Sequence, residues 1–143
     1  MTPIDPPSPR AWSERVRWFD ERLRRVGGDL PMPVDAQTEA ILTELRRVFA
    51  AGAWVAVVIL AQTAIDSAVA ERVETAVGDG LDLNTVRFGR DYVWLRDRRN
   101  AYVHNDVPLP AITTHELVRD GDRLEREARK AVELMANALA GNA

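Results

Sequence analysis

Apolar residues recur at intervals of three and four along most of the chain, which is the spacing of an amphipathic helix. The first helix is predicted over residues 9–27, because Ser8-Pro9 is typical of a helix start and Gly27-Gly28 of a helix end. Residues 1–8 contain three prolines and predict a flexible tail. Trp18 lies off the predicted apolar stripe and is a candidate interface residue. The stripe itself consists of Trp12, Val16, Phe19, Leu23 and Val26.

Two further helices are predicted on either side of Gly52. Asp35 caps the first of them, and the second runs from residue 53 to about residue 77. The start of this second segment could be a buried strand on its own, but helical spacing continues through Ile65 and Val69 without a turn signal. Because the segment is apolar on nearly every side, we expect it at the centre of a helix bundle.

The C-terminal half predicts two more helices. One spans residues 84–104 with Gly89 as a weak point, and the last begins at Thr113, which forms a capping box with Glu116. The sequence therefore predicts an all-α fold in one domain over residues 9–143, with a four-helix bundle at 36–139 and an additional N-terminal helix. The predicted stripes are Phe88, Tyr92, Leu95, Arg99 and Tyr102 in one helix, and Leu117, Leu124, Ala128, Ala131, Met135 and Ala138 in the other.

Composition narrows the classes of function. The chain has no cysteine and two histidines, so it has no thiol nucleophile, and we expect neither a metal site nor a cofactor. A net charge of −3 argues against holding nucleic acid by bulk positive charge. The N-terminus does not resemble a signal peptide, and the longest stretch without polar residues, 48–61, is shorter than the roughly 20 residues of a membrane span. We therefore expect a cytoplasmic protein with no membrane partner.

The predicted helix over residues 84–104 breaks the apolar pattern, because its stripe contains Arg99. A buried arginine must be paired or must face a partner, and pairing with Asp66 or Asp97 is a purely structural alternative. When the chain is divided after residues 35, 80 and 104, the only block with a net positive charge is 81–104, with five basic and three acidic residues. Arginine makes up 18 of the 19 basic residues, which suits recognition of phosphate but is also typical of a GC-rich genome.

Arg99 and His104 carry the chemistry that this helix suggests. Their side chains point about 140° apart on an ideal helix. They converge if the last turn unwinds before Pro108, if the arginine stem wraps around, or if two chains pair across a two-fold axis. The guanidinium is a bidentate clamp for phosphate, and the imidazole exchanges protons near neutral pH. Together they suffice to cleave a phosphodiester whose own 2′-hydroxyl is the nucleophile.

The run from Arg99 to His104, RNAYVH, resembles the R-x4–6-H motif of HEPN domains, the nucleotide-binding domains shared by higher eukaryotes and prokaryotes. Residues 49–66 also resemble the helix pair of many bacterial members, and the resemblance covers residues 36–139. It implies an all-α bundle, usually dimeric, with the motif near the dimer axis. It further implies Arg99 and His104 as catalytic, Asn100 as their catalytic support, and Asp66 as the acidic residue that faces the motif.

Many HEPN domains are metal-independent endoribonucleases of toxin–antitoxin pairs, phage defence or RNA-guided nucleases. On this resemblance we expect a homodimer that binds and cleaves RNA, or binds a nucleotide, with an antitoxin or regulatory protein as a candidate partner. Arg96 and Arg98 are candidate phosphate-binding residues, and Asp97 and Tyr102 are candidate supporting residues. Two other classes stay open: a non-catalytic HEPN-like nucleotide-binding or scaffold protein, and a regulatory subunit whose N-terminal helix docks on a partner.

Each candidate also has a structural explanation. His104 can simply stabilise the helix by interacting with the helix dipole, and Asn100 can cap the frayed end of the helix. Asp97 can pair in solvent with a neighbouring arginine. The place of Tyr102 in the apolar stripe favours packing over stacking on a base.

Overall fold

The computed structural model describes residues 1, 3–27, 34–75, 83–105 and 108–141. Within these ranges the chain is helical and contains no strand, so the predicted all-α class is confirmed. The side chain of the predicted stripe residue Val26 and the predicted helix end near residue 77 lie outside what the structure describes. The helices are α1 (Pro9–Gly27), α2 (Ala36–Ala51), α3 (Trp54–Thr75), α4 (Leu83–Phe88), α5 (Arg90–Val103), α6 (Thr114–Arg119) and α7 (Gly121–Leu139).

Three helices begin where their capping residues predict. The Ser8 hydroxyl accepts a hydrogen bond from the Ala11 amide at 3.1 Å at the start of α1. The Asp35 carboxylate accepts one from the Thr38 amide at 2.9 Å at the start of α2. At the start of α6, Thr113 and Glu116 form the predicted capping box. Each cap satisfies amide groups that have no partner inside the first turn.

Gly52 ends α2 and separates it from α3. Its φ of 77° lies in the left-handed region, and its amide donates to the Phe49 and Val48 carbonyls. A β-carbon at this position would also lie 3.0 Å from Nη1 of Arg15 on α1. The position therefore favours glycine for its backbone conformation, and a β-carbon would also press on the Arg15 guanidinium.

Two of the predicted continuous helices are interrupted. The predicted helix over 84–104 is α4 followed by α5, because the chain turns at Gly89, where a β-carbon would collide with the Thr85 carbonyl oxygen. The predicted last helix from Thr113 is α6 followed by α7, with Asp120 ending one and Gly121 beginning the other. Both predictions of a single helix were therefore wrong, although most of the residues are helical.

α3 is the central helix, as its apolar character predicted. It packs against α2, α5 and α7, and α1 packs against α2 and α7. Alanines at the α3–α7 contact let the two helix backbones approach closely. Three predicted stripe residues are exposed instead of buried: Phe88 at 72%, Leu117 at 48% and Trp12 at 42%. The fully buried side chains include Phe19, Leu45, Phe49, Val57, Ala61, Ala64, Leu95, Ala128, Ala131, Val132 and Met135.

α1 is attached to the other helices through aromatic rings. The Trp18 ring stacks on Phe49 of α2 with 5.1 Å between centroids, and the Arg129 guanidinium of α7 lies 4.5 Å from the Trp18 centroid. Trp18 is thus partly buried inside the chain's own fold, and this packing replaces its predicted place at an interface. Phe19 is completely buried beside it. The α1 face that carries these two rings is therefore occupied within the monomer.

α3 also has the length and composition of a membrane span. The window Trp54–Glu71 has a mean hydropathy of 1.4, and 39% of it is buried within the structure. Its buried residues pack against three other helices, as in the core helix of a folded domain. A single helix of this kind is weak support for a membrane protein. The cytoplasmic location stays a prediction.

Candidate functional site

Arg99 extends from α5 to Asp66 on α3. Its Nη1 lies 3.3 Å from Oδ2 of the aspartate, and 24% of the arginine side chain and 51% of the aspartate side chain are exposed. The Arg99 Nε is buried, and no described residue is its hydrogen-bond partner. The arginine is therefore held at one end of its guanidinium, and a second N–H group stays unsatisfied. The pairing is one of the two that the sequence suggested, with Asp66 instead of Asp97 as the partner.

Gln62 holds Asp66 in place from one turn earlier on α3. Its Nε2 donates to Oδ1 of Asp66 at 2.8 Å, and Gln62 is only 6% exposed. The two carboxylate oxygens therefore have different partners, since Oδ1 accepts from Gln62 and Oδ2 pairs with Arg99. Gln62 was not among the predicted site residues. Its position four residues before Asp66 in an apolar helix was the available signal.

His104 lies where α5 ends. It is the C-cap of the helix, with φ −115° and ψ 132°, and its amide still donates to the Asn100 carbonyl at 2.9 Å. The chain thus leaves the helix at His104 itself, four residues before Pro108. His104 is exposed and Asn100 is half-buried. Within the described part of the chain, no hydrogen bond or ion pair joins Arg99 to His104.

Arg98 is directed to α7 and away from Arg99. It pairs with the Glu127 carboxylate through bonds of 3.0 to 3.2 Å, and its guanidinium lies 5.2 Å from the centroid of the Tyr102 ring. Successive residues on a helix point about 100° apart, which separates Arg98 from Arg99. Arg98 therefore contributes to the packing of α5 on α7, and its role in phosphate binding stays a prediction. Asp97 is exposed on a third side of the helix.

Tyr102 is half-buried against the core, which agrees with packing more than with a base contact. Burial raises the pKa of its phenol, and the nearby Arg98 charge opposes part of that change. Burial also raises the pKa of Tyr92 on the same helix. Both phenols are therefore protonated at neutral pH, and neither is set up as a proton acceptor there.

Arg96 lies beside a cleft between α3, α4 and α5. The cleft has a volume of about 610 Å³ and is also lined by Asp66, Gln62 and Arg87. Nη1 of Arg96 donates to the Arg87 carbonyl at 2.9 Å, which fixes the guanidinium at the cleft wall. Arg96 and Arg99 are three residues apart and point about 60° from each other on α5. The structure thus brings Arg96, Arg99 and Asp66 to the same side of the helix.

Three residues were not predicted as site residues: Arg87 and Phe88 line the cleft, and Glu127 pairs with Arg98 on the α7 side. Glu127 lies 29 residues from Arg98 and has no local signal in the sequence. Phe88 was predicted as a core residue but lies at the cleft, 72% exposed. Among the described residues, no group of three or more histidines and carboxylates is placed to hold a metal ion.

No protein-family model, curated protein or solved structure matches this chain.

Proposed function

We propose that the protein is a HEPN-type, metal-independent endoribonuclease that works as a homodimer with no cofactor. The observation that carries the proposal is the arrangement at the end of α5. There a partly accessible arginine is held by one carboxylate, and an exposed histidine follows where the helix ends. An arginine suits a phosphate clamp, and an exposed imidazole suits proton exchange with solvent and substrate.

In the proposed reaction, the RNA supplies its own nucleophile. The 2′-hydroxyl next to the scissile phosphate loses its proton to a base and attacks phosphorus. The bond to the 5′-oxygen breaks, and that oxygen receives a proton. The products are a 2′,3′-cyclic phosphate and a 5′-hydroxyl. Arg99 stabilises the charge on the phosphoryl oxygens, and His104 acts as general acid or base.

In the proposed homodimer, the pairing of two chains brings Arg99 and His104 together, which a single chain does not do. Arg99 points to α3, whereas His104 lies at the exposed helix end, and the two do not contact each other in the monomer. The segment that follows the motif exposes several apolar side chains, and α6 has no buried residue. Exposed apolar residues of this kind favour a protein interface. They are Val103 at 47%, Leu109 at 76%, Leu117 at 48% and Val118 at 73% exposure.

A non-catalytic, HEPN-like binding or scaffold protein is the second candidate. The Arg99–Asp66 ion pair favours it, because a phosphate would have to compete with the carboxylate for the guanidinium. The exposure of His104 is compatible with the enzyme, which requires an imidazole that a substrate can reach.

Analysis of the reaction products tests the proposal. Purified protein is incubated with mixed-sequence RNA in EDTA, and the fragments are examined by mass spectrometry. We expect fragments that end in a 2′,3′-cyclic phosphate, and no cleavage of the same sequences made with 2′-O-methyl groups. Intact RNA would favour the scaffold, and equal cleavage of the 2′-O-methyl strand would exclude the 2′-hydroxyl as the nucleophile.

A further inference from the structure

The cleft between α3, α4 and α5 has the size and lining of a site for a small planar group. Its volume of about 610 Å³ lies in the range of roughly 300–1,000 Å³ that is typical of ligand pockets. Its walls are formed mainly by apolar side chains of α3 and α4, among them Ile65, Val69 and Val86. The ring of Tyr92 closes it on the α5 side.

Phe88 lines this cleft and is exposed to solvent. The break at Gly89 makes Phe88 the last residue of α4 and takes it off the buried stripe of α5. As a result, 72% of the phenylalanine is exposed next to a concave apolar wall. Leaving so large an apolar ring in water is unfavourable, and a flat ring stacked on it would remove that contact with water.

The charges at the cleft favour an anionic ligand. Arg96 is fixed at the wall by its hydrogen bond to the Arg87 carbonyl, and the Arg87 side chain is exposed beside it. The carboxylate at the wall belongs to Asp66, which is already bonded to Gln62 and Arg99. A ligand with a flat apolar body and a phosphate matches both the ring and the arginines.

The cleft is continuous with the catalytic arrangement proposed above. Asp66 lines the cleft, and its Oδ2 pairs with Arg99. Arg96 and Arg99 point about 60° apart on consecutive turns of α5. A phosphate at Arg99 would therefore place the neighbouring nucleotide of the same strand next to the cleft.

We propose that this cleft binds one unstacked base of the RNA, next to the scissile phosphate. Phe88 stacks on the base, and Arg87 and Arg96 contact the adjoining backbone phosphate. The inference rests on the proposed function, since it names how the same site selects single-stranded substrate. Sequence-specific recognition of RNA commonly uses such splayed bases stacked on aromatic side chains.

Binding of a strand that cannot be cleaved tests the cleft separately from catalysis. The probe is a fluorescent, mixed-sequence, single-stranded 2′-O-methyl oligonucleotide, and its affinity is measured by anisotropy. We expect Phe88→Ala to weaken binding about 5- to 150-fold, the loss typical of one base stack. Phe88→Trp keeps a stacking surface and should bind like the wild type. Trp12→Ala removes an exposed aromatic residue from α1 and serves as the matched control.

Arg87→Gln tests the phosphate contact. We expect weaker binding and a shallower dependence of affinity on salt, because one fewer counterion is released. The control is Arg47→Gln, which removes an exposed arginine of α2 instead of one at the cleft.

The outcomes separate the two proposals. Binding that depends on Phe88 without any cleavage of RNA supports the cleft and contradicts the ribonuclease. Cleavage together with binding that is unchanged in Phe88→Ala supports the ribonuclease and overturns the cleft. No detectable binding of the strand by the wild type overturns the cleft as a base site. All five variants replace exposed side chains, so circular dichroism should show the wild-type fold in each.

Discussion

The coupling between Arg99 and Asp66 distinguishes a functional arginine from a structural one. We expect a small coupling free energy, about 1 kcal/mol or less. The Nη1–Oδ2 distance is 3.3 Å, but half of the aspartate side chain is in water. Charges about 4 Å apart attract by about 1 kcal/mol in water, and double-mutant cycles on exposed pairs give about 0.2–1 kcal/mol. For a chain of this length, that corresponds to a change in Tm of about 4 °C or less.

The assay is a double-mutant cycle on unfolding by urea. The free energy of unfolding is measured for the wild type, Arg99→Ala, Asp66→Ala and the double variant, and the coupling is the departure from additivity. The control is a cycle on Arg98 and Glu127, which are 25% and 22% exposed and make several bonds. We expect a larger coupling for that pair, about 1.5–3 kcal/mol.

A larger coupling free energy for Arg99–Asp66 than expected would refute the reasoning. If the Arg99–Asp66 coupling reaches about 3–5 kcal/mol, the pair behaves as a buried structural ion pair, and Arg99 is not available to a phosphate. The same conclusion follows if its coupling exceeds that of the control pair. The non-catalytic scaffold would then be the better account.

Three stability measurements test the fold. Phe49→Ala should lower the free energy of unfolding by about 3–5 kcal/mol, because Phe49 is fully buried. Trp12→Ala on the exposed side of α1 should lower it by less than about 1 kcal/mol. Equal losses of the two variants in urea unfolding would argue against the described core. Gly52→Ala should lower the free energy of unfolding by about 1–2 kcal/mol, because φ at this position is 77°. Gly121→Ala should leave it unchanged, because no atom lies within 4 Å of where the added β-carbon would be. Thermal unfolding should therefore show a lower Tm for Gly52→Ala than for Gly121→Ala. Hydrogen bonds from the Thr38 backbone and hydroxyl lower the pKa of Asp35 below its ordinary value of 3.8. The Asp35 cap should therefore stabilise the fold fully above pH 3.8 and lose this effect as the pH falls through the lowered pKa. The difference in Tm between the wild type and Asp35→Ala should therefore shrink in acid, and a difference that grows there would contradict the cap.

Helix starts were predictable from sequence because caps are local. Ser8, Asp35 and Thr113 each bond to an amide three residues later, so the spacing alone contains the interaction. The central place of α3 was predictable for a similar reason, since a helix apolar on nearly all sides has to be buried. Gly89 was identified as a weak point of the predicted helix, but the break itself was not predicted, because the spacing from Phe88 to Tyr92 also fits one continuous helix.

The candidate site was only partly predictable. Arg99 stood out as an arginine in an apolar stripe, and Asp66 as a carboxylate in an apolar helix. The separate roles of Arg98 and Arg99 depend on how α5 packs between α3 and α7, which no local pattern contains. The cleft was missed because it exists only where α4 turns away from α5 and leaves Phe88 exposed.

The rate of RNA cleavage in EDTA tests the central claim most directly. The wild type is compared with Arg99→Ala and His104→Ala, and with the matched variants Arg126→Ala and His115→Ala, which replace exposed residues on α7 and α6. The account predicts cleavage by the wild type and both controls, and a loss of about 100-fold or more in Arg99→Ala and His104→Ala. No cleavage by the wild type, or equal rates for all five proteins, would contradict it.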